Sequence, residues 1–279
     1  MKILKFKIKD KFDFSLNAII LVFALCNIFP LYWAFSSSFK ISHQVNKIPP
    51  DWFPVTPTLR NYIQLFSSSS ALRWAFNSFL IASVTTLLVV LVSALASYAF
   101  SKMEFPGKRV LFYIFISTLM IPKEVYIIPL FKINQYFNLI NTYTGMILPN
   151  VALPFGVFLL KQYFDTISAS IRESGKIDGA SEWRIFFVIM LPICKAAMGA
   201  LTILMFVQVW NEYLWQVVMT SKDAMKTLQI GIASMQTDND PNYGLKMAGA
   251  CVAAIPMLVI FIAFQKYFTS GVTLGAVKE

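Results

Sequence analysis

Charge is what this sequence has least of. Only 14% of its 279 residues are Asp, Glu, Lys or Arg, and 57% are hydrophobic. Soluble domains carry about 25% charged and about 45–50% apolar residues, so an ordinary soluble fold is excluded and a polytopic membrane protein remains. Histidine occurs once, at His43, with no cysteine beside it, which leaves no metal site. The three cysteines, Cys26, Cys194 and Cys251, lie far apart in or beside apolar segments and read as small hydrophobes, not as a disulfide framework. There is no Gly-x-x-x-x-Gly-Lys-Ser/Thr. Gly107-Lys108 and Gly175-Lys176 lack the upstream glycine and the following hydroxyl, so the chain has no phosphate-cradling loop of its own. Gly-x-Ser-x-Gly and His-Glu-x-x-His are also missing, which argues against an enzyme. The net charge of +10 would suggest nucleic acid for a soluble protein. In so apolar a chain, basic residues flanking membrane spans on the cytoplasmic side account for it, and no nucleic-acid partner is expected.

What is present is a series of apolar runs at 14–39, 74–100, 110–130, 143–160, 185–219 and 247–268. About 20 apolar residues cross a bilayer, so the expectation is an all-α protein with about six transmembrane helices. The first run is too long for a signal peptide, whose apolar core is roughly 7–15 residues, and reads as an uncleaved helix. Lysines at 2, 5, 7, 9 and 11, together with Lys102, Lys108, Arg109, Lys161, Arg172 and Lys176, outweigh the basic residues of the intervening segments. Both termini are therefore expected in the cytoplasm. The domains follow: a cytoplasmic segment 1–13, a membrane domain 14–268 and a cytoplasmic tail 269–279. The interval 40–73, rich in proline and serine, reads as irregular, and Asp238 to Gly244 as a turn.

Pro122, Pro129, Pro149 and Pro154 fall inside the third and fourth runs, where each frees a backbone carbonyl that neighbours or water must satisfy. Lys123-Glu124 reads as an interfacial ion pair or part of a pathway mouth. Glu212 is the only ionisable candidate in the fifth run, and a position at its outer end explains it without a proton relay. Around it, Trp210-Asn211-Glu212-Tyr213 is either an aromatic belt or a sugar-lining cluster, since sugars take hydrogen bonds on their hydroxyls and stacking on their ring faces. Tyr126, Asn150, Gln208, Trp210, Asn211, Tyr213 and Gln216 are the candidate pathway residues.

The longest charged interval between two apolar runs is 161–195. It carries both signs of charge and cannot lie in hydrocarbon. Ile167, Ile171, Ser174 and Ile177 recur at helical spacing up to Asp178-Gly179, which predicts a short helix, a turn at Gly179 and a second helix from about Ala180. The segment is a surface loop or a docking element for a soluble partner.

Glu173, then Gly179 and Ile189-Met190-Leu191-Pro192, resembles the EAA loop of ABC importer permeases, and Ile177-Asp-Gly-Ala-Ser181 is similar to their carbohydrate-uptake branch. Ser174-Gly175 stands where that family usually has Ala-Ala. Tyr98 to Lys108, Trp210-Asn-Glu-Tyr213 and the ending Gln265 to Lys278 extend the likeness to the smaller membrane subunit of maltose-type transporters. The resemblance implies the type I ABC importer transmembrane fold in a bacterial plasma membrane. It implies an ATP-driven sugar importer, of an oligosaccharide in that branch. A homologous second permease, two ATPase subunits that hold ATP and Mg, an extracellular sugar-binding protein and the lipid bilayer would be its partners; this chain itself would carry no cofactor. Residues 165–192 would be the coupling loop, with Glu173, Ser174, Gly175, Asp178, Gly179, Ala180, Trp183 and Pro192 as its ATPase-coupling residues. Ile171, Ile177 and Trp183 would supply buried contact, and Gly271, Thr273, Gly275 and Lys278 in the tail would reach the ATPases. An ion-coupled secondary carrier and a permease for a non-sugar solute are the alternatives. The sequence does not name the sugar.

Overall fold

A computed structural model describes residues 11–67, 69–235 and 242–273. Among the described residues there is no β-strand. They divide into two compact units, one within Met1–Ser69 and Ile232–Val252, the other within Ser70–Gly231 and Ala253–Glu279.

The first unit begins with α1 (Lys11–Ser38), followed by the short α2 (Ser42–Val45) and α3 (Arg60–Ser67). The interval expected to be irregular thus contains two helical pieces. Its polar backbone groups are gathered by Asn61, whose amide donates to the carbonyls of Ser38 and Lys40 at 2.8 Å each. Lys40 is fully buried, with its ammonium donating to the Asp51 carbonyl at 2.6 Å and lying 4.4 Å over the Trp33 ring. Burial lowers its pKa and the Asp51 charge opposes that shift.

The second unit opens with α4 (Ala71–Lys102), a continuous 32-residue helix. Next come α5 (Lys108–Ser117), α6 (Lys123–Tyr136), α7 (Tyr143–Ile147) and α8 (Pro154–Thr166). The charged loop holds α9 (Ala169–Ile177) and α10 (Glu182–Arg184), then a π-helical turn at Ile185–Met190 and α11 (Leu191–Ile193). It leads into α12 (Lys195–Trp210) and α13 (Leu214–Met219). α14 (Leu228–Ser234) and α15 (Tyr243–Thr273) straddle the boundary between the units. Three helices are long and apolar enough to span, at Ser15–Ser38, Ala71–Lys102 and Tyr243–Ala263. Three bent pairs pass the same test, with bends of 103° between Lys108–Met120 and Lys123–Tyr136, 45° between Tyr143–Asn150 and Pro154–Thr166, and 77° between Glu182–Ile193 and Lys195–Trp210. Counting each bent pair as one span, the expected six runs are three unbroken helices and three broken ones among the described residues. Helix α15 continues to Thr273, past the last apolar run.

Small residues bring α4 close to its neighbours. Ala82, Thr85, Thr86, Ser93 and Ala94 are buried, and Ser97 Oγ donates to the Val157 carbonyl of α8 at 2.7 Å. One apolar cluster joins Val89, Tyr98, Leu160, Phe164, Ile185, Phe186, Met190 and Leu201 beneath the charged loop. A second, around Ile81, Ile127, Met146, Trp215 and Met219, packs α6, α7 and α13 on α4.

Asn77 organises the loop after α13. Its amide donates to the carbonyls of Ala224 and Lys226, at 3.0 and 2.8 Å, and its oxygen accepts from Tyr143 Oη at 2.7 Å. Asn77→Ala removes one donor from each of the two carbonyls and takes away the acceptor of the part-buried Tyr143 hydroxyl. It is expected to destabilise the detergent-solubilised protein by about 1–3 kcal/mol, read as a lowered unfolding midpoint.

Candidate functional site

Two regions of the second unit gather the polar chemistry. The first is the charged loop. Ser168 opens α9 by accepting from the Ser170 amide at 3.3 Å, and Ser181 opens α10 by accepting from Arg184 at 3.3 Å. Between them the chain reverses at Gly179, whose φ is 76°. The amides of Asp178, Gly179 and Ala180 donate to the carbonyls of Ser174, Lys176 and Gly175, each at 3.0 Å. This is a left-handed helix ending, which glycine adopts at little cost. Gly175 is buried: a Cβ there would stand 3.1 Å from Ile185 Cγ1, so the missing side chain lets α9 lie close on the π-helical turn.

A single carboxylate ties the loop together. Glu182 accepts from Tyr98 Oη at 2.8 Å, from Lys176 Nζ at 3.0 Å and from Arg172 through both guanidinium contacts. The hydrogen bond to Glu182 raises the Arg172 pKa above its ordinary value, against the effect of burial. The joint role of Glu182, Arg172 and Tyr98 was missed by sequence reasoning, because Tyr98 lies 84 residues from Glu182 and no spacing links the two.

Ser174, Glu173, Asp178, Gly179 and Pro192 are exposed, and Ala180 is half-buried against the inner cluster. Ile177 is 86% exposed and Trp183 66% exposed, and the Trp183 ring stacks on Phe187 at 6.1 Å and 18°. Ile171 does not join them. It packs inward on the apolar cluster, because α9 presents that side to the core, and so it is no outward contact residue.

The second region is a cavity of about 510 Å³ where three helices break. α5 ends in a 3₁₀ turn before Pro122, α7 gives way to α8 through Leu148–Asn150 and Pro154, and α12 yields to α13 across Asn211 to Tyr213. Irregular backbone at membrane depth is tolerated where it is buried or lines a water-filled space. Tyr126, Asn150 and Gln208 line this cavity, together with Lys123 and Glu212. Lys123 Nζ donates to Glu212 Oε2 at 2.6 Å and to Asn150 Oδ1 at 3.2 Å. Glu212 Oε1 accepts from the Trp215 amide at 3.1 Å. Of the two readings of Lys123-Glu124, an interfacial pair or part of a pathway mouth, Lys123 lies on the cavity wall and pairs with Glu212 and not with Glu124, since adjacent residues on a helix point apart. Glu212 accordingly belongs to the cavity wall.

The rest of the expected pathway set is dispersed. Trp210 is 2% exposed; its indole donates to the Ala253 carbonyl at 3.1 Å and stacks on Phe206, leaving no open face for a sugar ring. Gln216 is 1% exposed. Asn211 donates to the Val207 carbonyl at 2.9 Å, and Tyr213 is exposed but does not line the cavity. In the tail, Gly271 and Thr273 fall in the last turn of α15, while Gly275 and Lys278 lie outside the described residues.

Residues 89–274 match the family described as binding-protein-dependent transport system inner membrane component. The chain belongs to that family. The matched stretch contains both the charged loop and the cavity, and the permease has the type I ABC importer transmembrane fold. It is 34% identical to the arabinooligosaccharides transport system permease protein of Bacillus subtilis, over 95% of each chain. It is 31% identical to the sn-glycerol-3-phosphate transport system permease protein of Yersinia enterocolitica, over 93% of this chain and 95% of that one. Among solved structures, that of a bacterial ABC transporter involved in the import of the acidic polysaccharide alginate superposes with a TM-score of 0.81. It is 25% identical and covers 91% of this permease and 95% of its own chain. The chain is therefore a membrane component of a bacterial ABC transporter, of the kind that serves sugars.

Proposed function

We propose that this permease is one of two related membrane subunits of an ATP-driven importer that carries an oligosaccharide inward. A separate pair of ATPase subunits binds ATP and Mg, and an external binding protein delivers the sugar. Both termini lie in the cytoplasm, with the charged loop on that side. The observation that carries the reading is the pairing of two features on one loop: exposed Ile177 and Trp183 beside Phe187, and a frame of Glu182 with Arg172 and Lys176 that holds them in place. A loop of mixed charge cannot lie in hydrocarbon, so its exposed apolar side chains suit a cleft on a soluble subunit. Closure of the ATPases on ATP would move this loop as one body, through the apolar cluster beneath it, and tilt the broken helices around the cavity.

The frame makes its own prediction. Glu182→Ala removes the acceptor shared by Arg172, Lys176 and Tyr98 and frees α9 from α10. Hydrogen bonds to charged groups contribute about 1.5–3 kcal/mol, so uptake by the assembled transporter is expected to fall by roughly tenfold or more while the amount of permease in the membrane is unchanged. Wild-type uptake by this variant would remove the frame from the mechanism.

A further inference from the structure

The relatives named above differ in whether the solute in their names is charged. The cavity wall carries information on that point. Among its described lining residues, Lys123 and Glu212 are the only lysine, arginine, aspartate or glutamate, and they pair with each other at 2.6 Å. Lys123 donates a second N–H to Asn150 Oδ1 at 3.2 Å, and the second oxygen of Glu212 accepts from the Trp215 amide at 3.1 Å. Other polar groups on the wall are uncharged: Tyr126 and Gln208 reach it with no hydrogen bond to other described residues.

We propose that this cavity passes an uncharged polyhydroxylated solute, and that the Lys123–Glu212 pair sets this choice by withholding the wall's one cation from acidic sugars. The inference rests on the importer reading and narrows its substrate class. A sugar hydroxyl can take the free amide of Gln208 and the hydroxyl of Tyr126 without disturbing any existing bond. A carboxylate or phosphate meets a cation whose charge Glu212 already balances. It must either share the ammonium and set a second anion beside Glu212, or pull the ammonium away and leave that carboxylate without its counter-charge in a partly buried site; both are unfavourable. The same exchange loosens three helix breaks at once, because the pair and Asn150 link the start of α6, the turn before α8 and the start of α13. The pair therefore discriminates because its cation is already balanced by an anion on the same wall.

The test uses the assembled complex of both permeases and the ATPases, without binding protein, so that the membrane pathway alone is read. The probes are trigalacturonate and uncharged arabinotriose, with sodium chloride matching the ionic strength. Wild-type complex is expected to bind arabinotriose and to show no binding of trigalacturonate above the salt control; equal binding of the two, or binding of neither, would overturn the inference. Glu212→Gln keeps an acceptor for the Trp215 amide while removing the charge that balances Lys123, and is expected to show trigalacturonate binding at least about tenfold above the salt control. The double variant Lys123→Gln/Glu212→Gln is expected to lose that gain. Trigalacturonate binding by wild type that Lys123→Gln abolishes would overturn the inference, as would a Glu212→Gln complex that gains nothing. The wild-type arm decides the matter even where Glu212→Gln does not assemble. A wild-type chain that holds no ATPase at all overturns the importer reading itself, and is recognised before any sugar is added.

Discussion

Gly179→Pro abolishes uptake while leaving the permease inserted in the membrane. The turn needs φ of 76°, and proline fixes φ near −65°. Proline also removes the N–H that donates to the Lys176 carbonyl at 3.0 Å. The combined cost is about 3 kcal/mol or more, enough to shift the loop's population by about a hundredfold away from the present turn. Nothing stands within 4 Å of where a Cβ would lie, so the effect is one of backbone conformation and not of crowding. Two further substitutions separate these causes. Gly179→Asn, whose side chain tolerates the left-handed region, is expected to retain most uptake, and Gly179→Ala to fall between. Equal uptake by all three variants and the wild type would show that the angle between α9 and α10 has no role in transport.

Trp183→Asp releases the ATPase. The indole is exposed and stacks on Phe187, so it is free to enter a pocket on another protein, and its loss disturbs little within this chain. Buried aromatic anchors at interfaces commonly contribute about 2 kcal/mol or more, and a carboxylate in the same pocket adds a desolvation cost. The ratio of ATPase to permease after affinity purification in mild detergent is expected to drop by at least about thirtyfold. Trp183→Phe keeps an aromatic face and is expected to hold the ATPase. Retention by Trp183→Asp would move the docking surface elsewhere.

Local features of both regions were legible in the sequence because they depend on neighbours in the chain. Prolines at 122, 149 and 154 mark two of the three helix breaks at the cavity, and Gly179 after an apolar repeat marks the turn of the loop. The third break, at Asn211, has no proline, and the apolar run passes over it without interruption. Pairings across the fold were not legible. Lys123 meets Glu212 from a distance of 89 residues, and nothing in the spacing ranks that partner above Glu124. The face of Trp210 depends on Phe206 and on the carbonyl of Ala253, so a residue that suits a sugar platform by type is in fact a packing residue. Ile171 and Ile177 share a helix and a residue type, yet the first turns to the core and the second to solvent. Glu182 could be read as one more loop charge until its three partners converged on it.

The outward face of the charged loop, with Ile177 and Trp183, is the proposed contact with an ATPase. Photo-crosslinking from position 177 tests it most directly, because Ile177 is the more exposed of the two outward apolar residues and belongs to no internal cluster. With Ile177→benzoylphenylalanine in the assembled transporter, the account predicts that the main adduct is the ATPase subunit. Adducts confined to lipid or to the external binding protein, in a preparation that contains the ATPase, would contradict it.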